Sequence, residues 1–315
     1  MKHSIFLSTL LLPALSFLAG CSGAKSSSAT TDSRDSLRDS LEAIIAEAPG
    51  QIGVAVIFDN GDTLTVNNSA DYPLMSMFKL PEALATGKTL DLRGQDFDSV
   101  MTINRADLNP DTWSPMLKDY AGDSWSMTVG DLVRYILIPS DNNASNLLFD
   151  SIVSVEETQR FITALLPDTD IKLLHTEAEM QREHAKSYDN SSSPLAYARL
   201  VEKVFTDSII SPAKQDFIRR RMLECNTGLD RISAPLLAVK GATFGHRTGS
   251  GYTNERGEVT AVNDGGYVTL PDGTTYTIVI LVKDFAGPQP EAERIMASLS
   301  AAVLDHVLNH RQLQK

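Results

Sequence analysis

The distribution of strand and helix patterns along the chain restricts the fold more than any other feature. Two β-strands are predicted near the N-terminus, Ile52 to Phe58 and Thr63 to Val66, and an Asn60-Gly61 turn joins them as a hairpin. Between about residue 76 and residue 225 the apolar residues recur mainly at helical spacing. Strand patterns then return in three segments, which are Thr243 to Ser250, Glu258 to Leu270 and Thr275 to Asp284.

Short connections between these strands favour antiparallel pairing. Apolar residues also recur at helical spacing from Leu37 to Ile45 and from Ile295 to Val307, and helices at both chain ends can cover one sheet face. We therefore predict an α/β fold of the α+β type, an antiparallel sheet flanked by helices with an inserted all-helical domain. The sheet domain is predicted to comprise residues 32–72 and 230–315, and the helical domain residues 73–229. A cleft between them is the expected place for a functional site.

The N-terminal residues have the pattern of an export signal. An apolar stretch from Ile5 to Ala19 follows Lys2 and is too short to span a bilayer. It ends in Leu18-Ala19-Gly20-Cys21, which resembles the cleavage box of bacterial lipoproteins, although an ordinary signal peptide followed by a chance cysteine is the alternative. We predict a signal peptide over residues 1–20, lipidation of Cys21, and a flexible tether over residues 21–31. The protein is then exported and anchored to a membrane, on the periplasmic side.

The overall charge narrows the range of partners. The formal net charge is −12, and so acidic a chain is not expected to bind nucleic acid through phosphate contacts. If Cys21 carries lipid, Cys225 has no partner for a disulfide within the chain, and we expect it to be a buried small hydrophobe. The folded body is expected to be monomeric and to need no cofactor.

Nucleophilic chemistry is indicated by Ser76-Met77-Phe78-Lys79, an S-x-x-K element. On a helix, that spacing places the hydroxyl and the amine on one face, where Lys79 can take the proton from Ser76. Alone the element is weak evidence, because the chain also holds Ser22-Gly23-Ala24-Lys25 and Ser211-Pro212-Ala213-Lys214.

Two further motifs strengthen the case. Ser140-Asp141-Asn142 follows the S-x-x-K element, and Arg247-Thr248-Gly249 lies on a predicted strand beyond it. In this order the three motifs resemble the active site of the serine penicillin-recognising enzymes. A fourth element, Glu177-Ala178-Glu179-Met180-Gln181, resembles the omega-loop glutamate segment of one branch, the class A serine β-lactamases. The resemblance is closest to a divergent cephalosporinase-like branch of class A.

The resemblance covers nearly the whole body, and this chain departs from the family pattern in three ways. Arg247 replaces the usual lysine of the third motif, Gln181 stands where many members carry asparagine, and the frequent internal disulfide is absent. Arginine keeps the positive charge but carries it on a planar guanidinium. The replacement therefore changes the geometry of the site and not the sign of its charge.

The resemblance implies hydrolysis of β-lactam antibiotics through a covalent intermediate. Ser76 attacks the lactam carbonyl, Ser140 relays a proton to the departing nitrogen, and Glu177 activates the water that hydrolyses the acyl-enzyme. Whether Lys79 or Glu177 is the base of the acylation step is left open. Backbone N–H groups of Ser76 and Ser250 are expected to form the oxyanion hole.

Substrate binding is assigned by the same resemblance. Arg247 and Thr248 are expected to hold the substrate carboxylate, with Arg247 also lowering the pKa of Lys79 by its charge. The complete set predicted to bind substrate comprises Asn142, Arg247, Thr248, Gly249, Ser250, Trp113, Arg231 and Gln181. Cephalosporins are expected to be favoured, because the Ser250 hydroxyl is placed to reach the carboxylate of their larger ring.

Other interpretations have less support. The loop residues His175, Glu177, Glu179 and His184 could be metal ligands, but no His-Glu-x-x-His or cysteine pair accompanies them, and we predict no metal site. A penicillin-binding D,D-peptidase shares the three motifs but has no deacylating glutamate. A non-catalytic β-lactam-binding lipoprotein is a rival from another class, and only Arg247 and Gln181 favour it.

Overall fold

The computed structural model describes residue 1 and residues 24–312, with side chains for residue 1 and residues 33–309. The predicted signal peptide and Cys21 therefore lie outside the described residues. Within the described part of the chain, no helix combines the length and the apolar character needed to cross a membrane. Residues 37–315 form one compact unit. The predicted boundaries between a sheet domain and a helical domain stay a prediction.

The described residues form a mixed helical and sheet structure. Its helices are α1 (Ala24–Ala46), α2 (Lys79–Arg93), α3 (Met116–Asp119), α4 (Val129–Leu137), α5 (Asn142–Ser151), α6 (Val155–Leu165), α7 (Glu177–Arg182), α8 (Pro194–Thr206), α9 (Pro212–Leu223), α10 (Ser233–Leu236) and α11 (Gln289–Gln312). Its strands are β1 (Gln51–Phe58), β2 (Thr63–Val66), β3 (Tyr72–Pro73), β4 (Val100–Asn104), β5 (Ser124–Thr128), β6 (Ser191–Ser192), β7 (Thr243–Ser250), β8 (Val259–Thr269) and β9 (Thr275–Phe285). Short 3-10 helices cover Met75–Phe78, Arg105–Asp107 and His184–Tyr188.

The main sheet has five strands in the order β2-β1-β9-β8-β7, and every neighbouring pair is antiparallel. The predicted fold class is confirmed, and the bounds of the five predicted strands agree with the structure to within one residue. The chain-terminal strands meet at the centre of the sheet, where β1 pairs with β9. Strand β7 is left at one edge.

Both faces of this sheet are covered, which explains the nearly continuous apolar runs in its central strands. One face packs on α11 and on the later part of α1, through residues such as Leu41, Val54, Ile280 and Leu299. The other face packs on the helices of the inserted segment, where Tyr197 of α8 is fully buried. Helix α1 begins at Ala24, inside the predicted tether, and the tether itself stays a prediction.

The segment predicted to be all helical is mainly helical, and four short strands in two small sheets lie in it or at its start. Strands β4 and β5 pair as one of them. Each of these strands has one buried side chain, Ile103 in β4 and Met127 in β5. So short an alternation gives almost no sequence signal, because a half-buried strand is recognised by repeated apolar positions.

Candidate active site

The S-x-x-K element forms the turn that leads into α2. Ser76 lies in the 3-10 helix Met75–Phe78, and Lys79 is the first residue of α2. A 3-10 helix has three residues per turn, so residues three apart are superimposed along its axis. The Nζ of Lys79 consequently lies 2.9 Å from the Oγ of Ser76. Met75, just before the nucleophile, has a φ of 48°, a left-handed conformation that costs strain in a non-glycine residue.

Lys79 is fully buried and surrounded by oxygen atoms. Its Nζ lies 2.9 Å from the Ser140 carbonyl oxygen, 2.6 Å from Asn142 Oδ1 and 2.9 Å from Glu177 Oε1. Burial lowers the pKa of Lys79, the charge of Glu177 opposes this effect, and the charge of Arg247 adds to it. These contacts fix the position of the Lys79 amine, and its lowered pKa makes it easier to deprotonate than the amine of an exposed lysine.

The second motif brings two polar groups to the same amine. Ser140 has a φ of 65°, and its Oγ lies 3.4 Å from Lys79 Nζ. Asn142 uses its oxygen on Lys79 and donates its amide N–H to Thr112 Oγ1 at 2.9 Å. Asp141 has a different function: its buried carboxylate caps α5 at Ala144 N, 2.9 Å away. The middle residue of the motif therefore builds the turn, and its two neighbours face the site.

The loop glutamate reaches the nucleophile. Glu177 is the first residue of α7, and its Oε1 accepts a hydrogen bond from Ser76 Oγ at 3.1 Å. Glu179 points back instead, because its carboxylate accepts from Thr176 N at 2.9 Å in a capping box. The backbone N–H of Thr176 is the first cause that lowers the pKa of Glu179. The structure therefore places Glu177, and not Glu179, beside Ser76.

Arg247 occupies the position behind Ser140. It is fully buried; its Nη2 lies 2.9 Å from Ser140 Oγ and donates to the Ser76 carbonyl oxygen at 3.2 Å. Its Nη1 donates to the Leu137 carbonyl oxygen at 2.8 Å. Arg247 does not line the cleft, so its direct contact with a substrate carboxylate stays a prediction. Thr248, the next residue, does line the cleft.

Gly249 is required by the protein's own packing. A Cβ on this residue would lie 2.4 Å from the Leu74 carbonyl oxygen and 3.1 Å from Met75 Cβ. A side chain at this position would therefore collide with the turn that carries Ser76. The absence of a side chain lets the edge strand β7 pass directly beside the nucleophile.

Arg231 lines the cleft and is held by several contacts with its surroundings. Its Nη2 donates to Ser250 Oγ at 2.6 Å, and its Nη1 donates to the Asn263 carbonyl oxygen at 2.8 Å. It also forms an ion pair with Glu293 of α11 at 3.2 Å. Arg231 and Ser250 are therefore neighbours, but the guanidinium of Arg231 already holds a carboxylate of the protein. Direct binding of a substrate carboxylate by Arg231 stays a prediction.

The cleft itself has a volume of about 1070 Å³. Trp113 stands at its mouth with 56% of its surface exposed, and its ring N–H donates to the Pro139 carbonyl oxygen at 2.8 Å. Gln181 also lines the cleft, but its amide binds Asn109 at 2.8 Å and the Asp111 carbonyl oxygen at 3.2 Å. A role of Gln181 in holding water stays a prediction.

The four candidate metal ligands of this loop have separate contacts. His175 pairs with Asp189 at 3.0 Å, and His184 stacks on Tyr252 with ring centroids 4.0 Å apart. Over the described residues, no group of three or more His, Cys, Asp or Glu side chains is arranged to hold a metal ion. The S-x-x-K element that begins at Ser211 has its lysine engaged in ion pairs, because Lys214 pairs with Asp91 at 2.9 Å and with Asp96 at 2.7 Å.

Sequence patterns did not reveal several residues of the cleft. Glu293 and Gln289 come from α11, and Tyr252 from the loop after β7. None belongs to a motif, and α11 looked like a helix that only covers the sheet. Their presence depends on how α11 and β7 pack, which no local pattern encodes.

Comparison with known proteins gives consistent matches. The model of the beta-lactamase enzyme family matches residues 36–307. A beta-lactamase of Phocaeicola vulgatus is 47% identical over 281 residues, which are 88% of this chain and 88% of that protein.

Solved structures agree with the sequence comparisons. The TLA-3 extended-spectrum beta-lactamase has a TM-score of 0.83 and 30% identity, and the match covers 87% of this chain and 99% of that one. A class A beta-lactamase from Bacteroides cellulosilyticus has a TM-score of 0.82 and 25% identity, with 87% and 98% covered. The four motif elements and the matches over most of the chain lead to one conclusion: this chain belongs to the beta-lactamase enzyme family and, within it, to class A.

Proposed function

We propose that this protein hydrolyses β-lactam antibiotics through an acyl-enzyme on Ser76. The observation that carries the proposal is the position of Ser76 Oγ, which lies 2.9 Å from Lys79 Nζ and 3.1 Å from Glu177 Oε1. A nucleophile that contacts both an amine and a carboxylate has a base for its activation and another group for the second step. Family membership and the names of its relatives support the same reaction.

Acylation begins when Ser76 Oγ attacks the lactam carbonyl carbon. Its proton passes to Lys79 or to Glu177, both within hydrogen-bond distance. The developing oxyanion is stabilised by backbone N–H groups of Ser76 and Ser250. Gly251 N donates to Ala261 O of β8 at 2.8 Å, and neighbouring N–H groups of a strand point in opposite directions, so the Ser250 N–H faces the open edge.

Collapse of the tetrahedral intermediate breaks the lactam C–N bond. The nitrogen takes a proton from Ser140, whose hydroxyl lies 3.4 Å from Lys79 Nζ and 2.9 Å from Arg247 Nη2. Lys79 can then return a proton to Ser140, which completes a relay from the nucleophile to the leaving group. The amide of Asn142 and the hydroxyl of Thr248 bind the substrate on either side of this relay.

Deacylation needs a water molecule that is deprotonated as it attacks the ester. Glu177 is the carboxylate beside Ser76 and is held on Lys79 at 2.9 Å. This feature favours a lactamase over a D,D-peptidase or a non-catalytic binding protein, because neither of those needs a carboxylate there.

Hydrolysis of a chromogenic cephalosporin by the soluble body tests the proposal. A lactamase turns over many equivalents of substrate per protein. A D,D-peptidase or a binding protein would instead release at most one equivalent and remain acylated or simply occupied, and either outcome would refute the proposal.

We further propose that cephalosporins are turned over better than penicillins. Ser250 Oγ accepts from Arg231 Nη2 at 2.6 Å, which leaves the hydroxyl proton of Ser250 available for a substrate carboxylate. Ser250→Ala is expected to reduce kcat/KM for cephalosporins roughly tenfold, about the value of one hydrogen bond to a charged group, with a smaller effect on penicillins. Steady-state kinetics on both classes measure this, and equal losses on both would contradict the role.

The protein is also proposed to be an exported lipoprotein anchored through Cys21 on the periplasmic side, with a monomeric body. The lipoprotein-type box around Cys21 supports this proposal. Cys21→Ser is expected to move the protein from the membrane fraction to the soluble fraction, because lipid chains supply the anchor. Fractionation followed by immunoblotting measures the change; a mutant that still sediments with membranes would contradict the proposal.

A further inference from the structure

A group of four ionisable side chains lies around the middle of β7, and none of the four lines the cleft. Cys225 follows α9 and is buried, and its Sγ lies 3.8 Å from Arg247 Nη1 and 3.4 Å from Thr227 Oγ1. His246 precedes Arg247, and its Nδ1 lies 2.8 Å from Asp264 Oδ1 of β8. The sequence suggested only a buried small hydrophobe at Cys225, and the structure adds charged neighbours that no motif revealed.

The neighbouring charges shift the pKa values of Cys225 and His246 in opposite directions. Burial alone would raise the pKa of Cys225, but the positive charges of His246 and Arg247 and the hydrogen bonds to the sulfur lower it to about 6. Burial would lower the pKa of His246, but the charges of Asp264 and Cys225 raise it to about 10. At neutral pH the cluster then holds a thiolate on Cys225 beside an imidazolium on His246.

This cluster connects directly to the reacting groups. Arg247 has one nitrogen, Nη1, on Cys225 and Leu137, and the other, Nη2, on Ser140 Oγ and the Ser76 carbonyl oxygen. Because the guanidinium of Arg247 is planar and rigid, a change in the contacts of Nη1 also moves Nη2. A buried guanidinium also needs a nearby anion, because an unpaired buried charge is strongly unfavourable.

We propose that Cys225 is a positioning residue whose sulfur, as a buried anion, balances Arg247 and keeps its fork on Ser140 and Ser76. His246 and Asp264 hold that anion in place. The pairing also accounts for arginine in the third motif: a lysine is a point charge on a flexible stem, whereas the fork of Arg247 spans both the sulfur and the serine hydroxyl. The expected effect of Cys225 on turnover rests on the proposed function. The negative charge expected on its sulfur does not depend on that function.

The charged and titratable groups around the sulfur come from several elements. His246 and Arg247 face it from β7, and Asp264 reaches it through His246 from β8. Tyr197 of α8 is also near, and burial raises the pKa of its hydroxyl out of the range tested. Of Cys225 and His246, it is Cys225 whose pKa, about 6, lies between pH 5 and pH 8, whereas the pKa of His246 is about 10.

A difference titration tests the charge without any substrate. Ultraviolet absorbance of the wild-type protein minus that of Cys225→Ser isolates the thiolate of Cys225 and cancels any contribution of Cys21. The expected midpoint is near pH 6, and His246→Asn is expected to shift it upward because a positive neighbour is lost. If Cys225→Ser does not fold, Cys225→Ala provides the reference. A sulfur that stays protonated up to about pH 8 would overturn the proposal.

Kinetics test whether the charge acts on the site. At about pH 8, Cys225→Ser is expected to lower kcat/KM for a chromogenic cephalosporin roughly tenfold to a hundredfold, the range for losing one charged hydrogen-bond partner. A thiol with a lowered pKa is charged above that pKa and neutral below it, so the ratio of wild type to variant should fall towards one at about pH 5. A ratio independent of pH would show a packing role only and would overturn the proposal. If neither the wild type nor Cys225→Ser turns over substrate, the proposed function has failed. The rate of labelling of Ser76 by a fluorescent penicillin then replaces kcat/KM and still tests whether Cys225 acts on the site.

Discussion

Glu177→Gln is expected to trap the protein as a long-lived acyl-enzyme. The glutamine keeps the shape of the side chain beside Ser76 Oγ, 3.1 Å away in the native protein, but it cannot take a proton from water. A positioned general base contributes a factor of about 10² to 10⁴ to such a step, so deacylation should slow by that range. Lys79 and Ser140 remain in place to support acylation. Mass spectrometry of the intact protein should then show one drug fragment on Ser76 long after the wild type has cleared.

Glu179 supplies the matched control for this experiment. It lies two residues further on, but its carboxylate caps α7 through Thr176 and does not face the cleft. Glu179→Gln should keep the capping box, because glutamine also serves at this position, and leave the deacylation rate close to that of the wild type. If deacylation stalls in the Glu179 variant and not in the Glu177 variant, the general base is Glu179 and its assignment to Glu177 is wrong. Stalling in neither would exclude the class A mechanism for this protein.

Ser76→Ala is expected to abolish covalent labelling by a fluorescent penicillin. The variant removes only the nucleophilic oxygen, and an alanine fits the 3-10 turn without steric conflict, so the fold should remain intact. Turnover of a chromogenic cephalosporin should fall by several orders of magnitude, because nucleophilic catalysis and the serine relay are lost together. Gel fluorescence and steady-state rates measure these losses, and circular dichroism confirms the fold.

Ser211→Ala is the matched control, because Ser211 begins a second S-x-x-K element. Lys214, its partner in sequence, is instead paired with Asp91 and Asp96. Labelling and turnover should therefore remain at wild-type levels in this variant. Labelling that persists in Ser76→Ala and disappears in Ser211→Ala would show that the nucleophile had been assigned to the wrong motif.

The fold class and the four residues proposed to react could be predicted from the sequence. Strand positions follow from sequence patterns over four to eleven residues, and the antiparallel pairing of the strands follows from their short connections. Ser76 and Lys79 are neighbours in one turn, so their contact is a property of helical spacing. Ser140 and Glu177 could be named because their segments resemble motifs of a known enzyme family, and the structure brings both to Lys79 Nζ, at 3.4 Å and 2.9 Å.

Only the tertiary structure decided which groups are buried and which are paired. Arg247 could be recognised as a cation in a motif, but its full burial and its contact with Cys225 depend on how β7 packs against the end of α9. Glu293 meets Arg231 across 62 residues of chain, and a long-range pair of this kind leaves no mark on a local pattern. The physical reason is that motifs record chemistry within one turn or strand, whereas burial and charge pairing arise between elements that folding brings together.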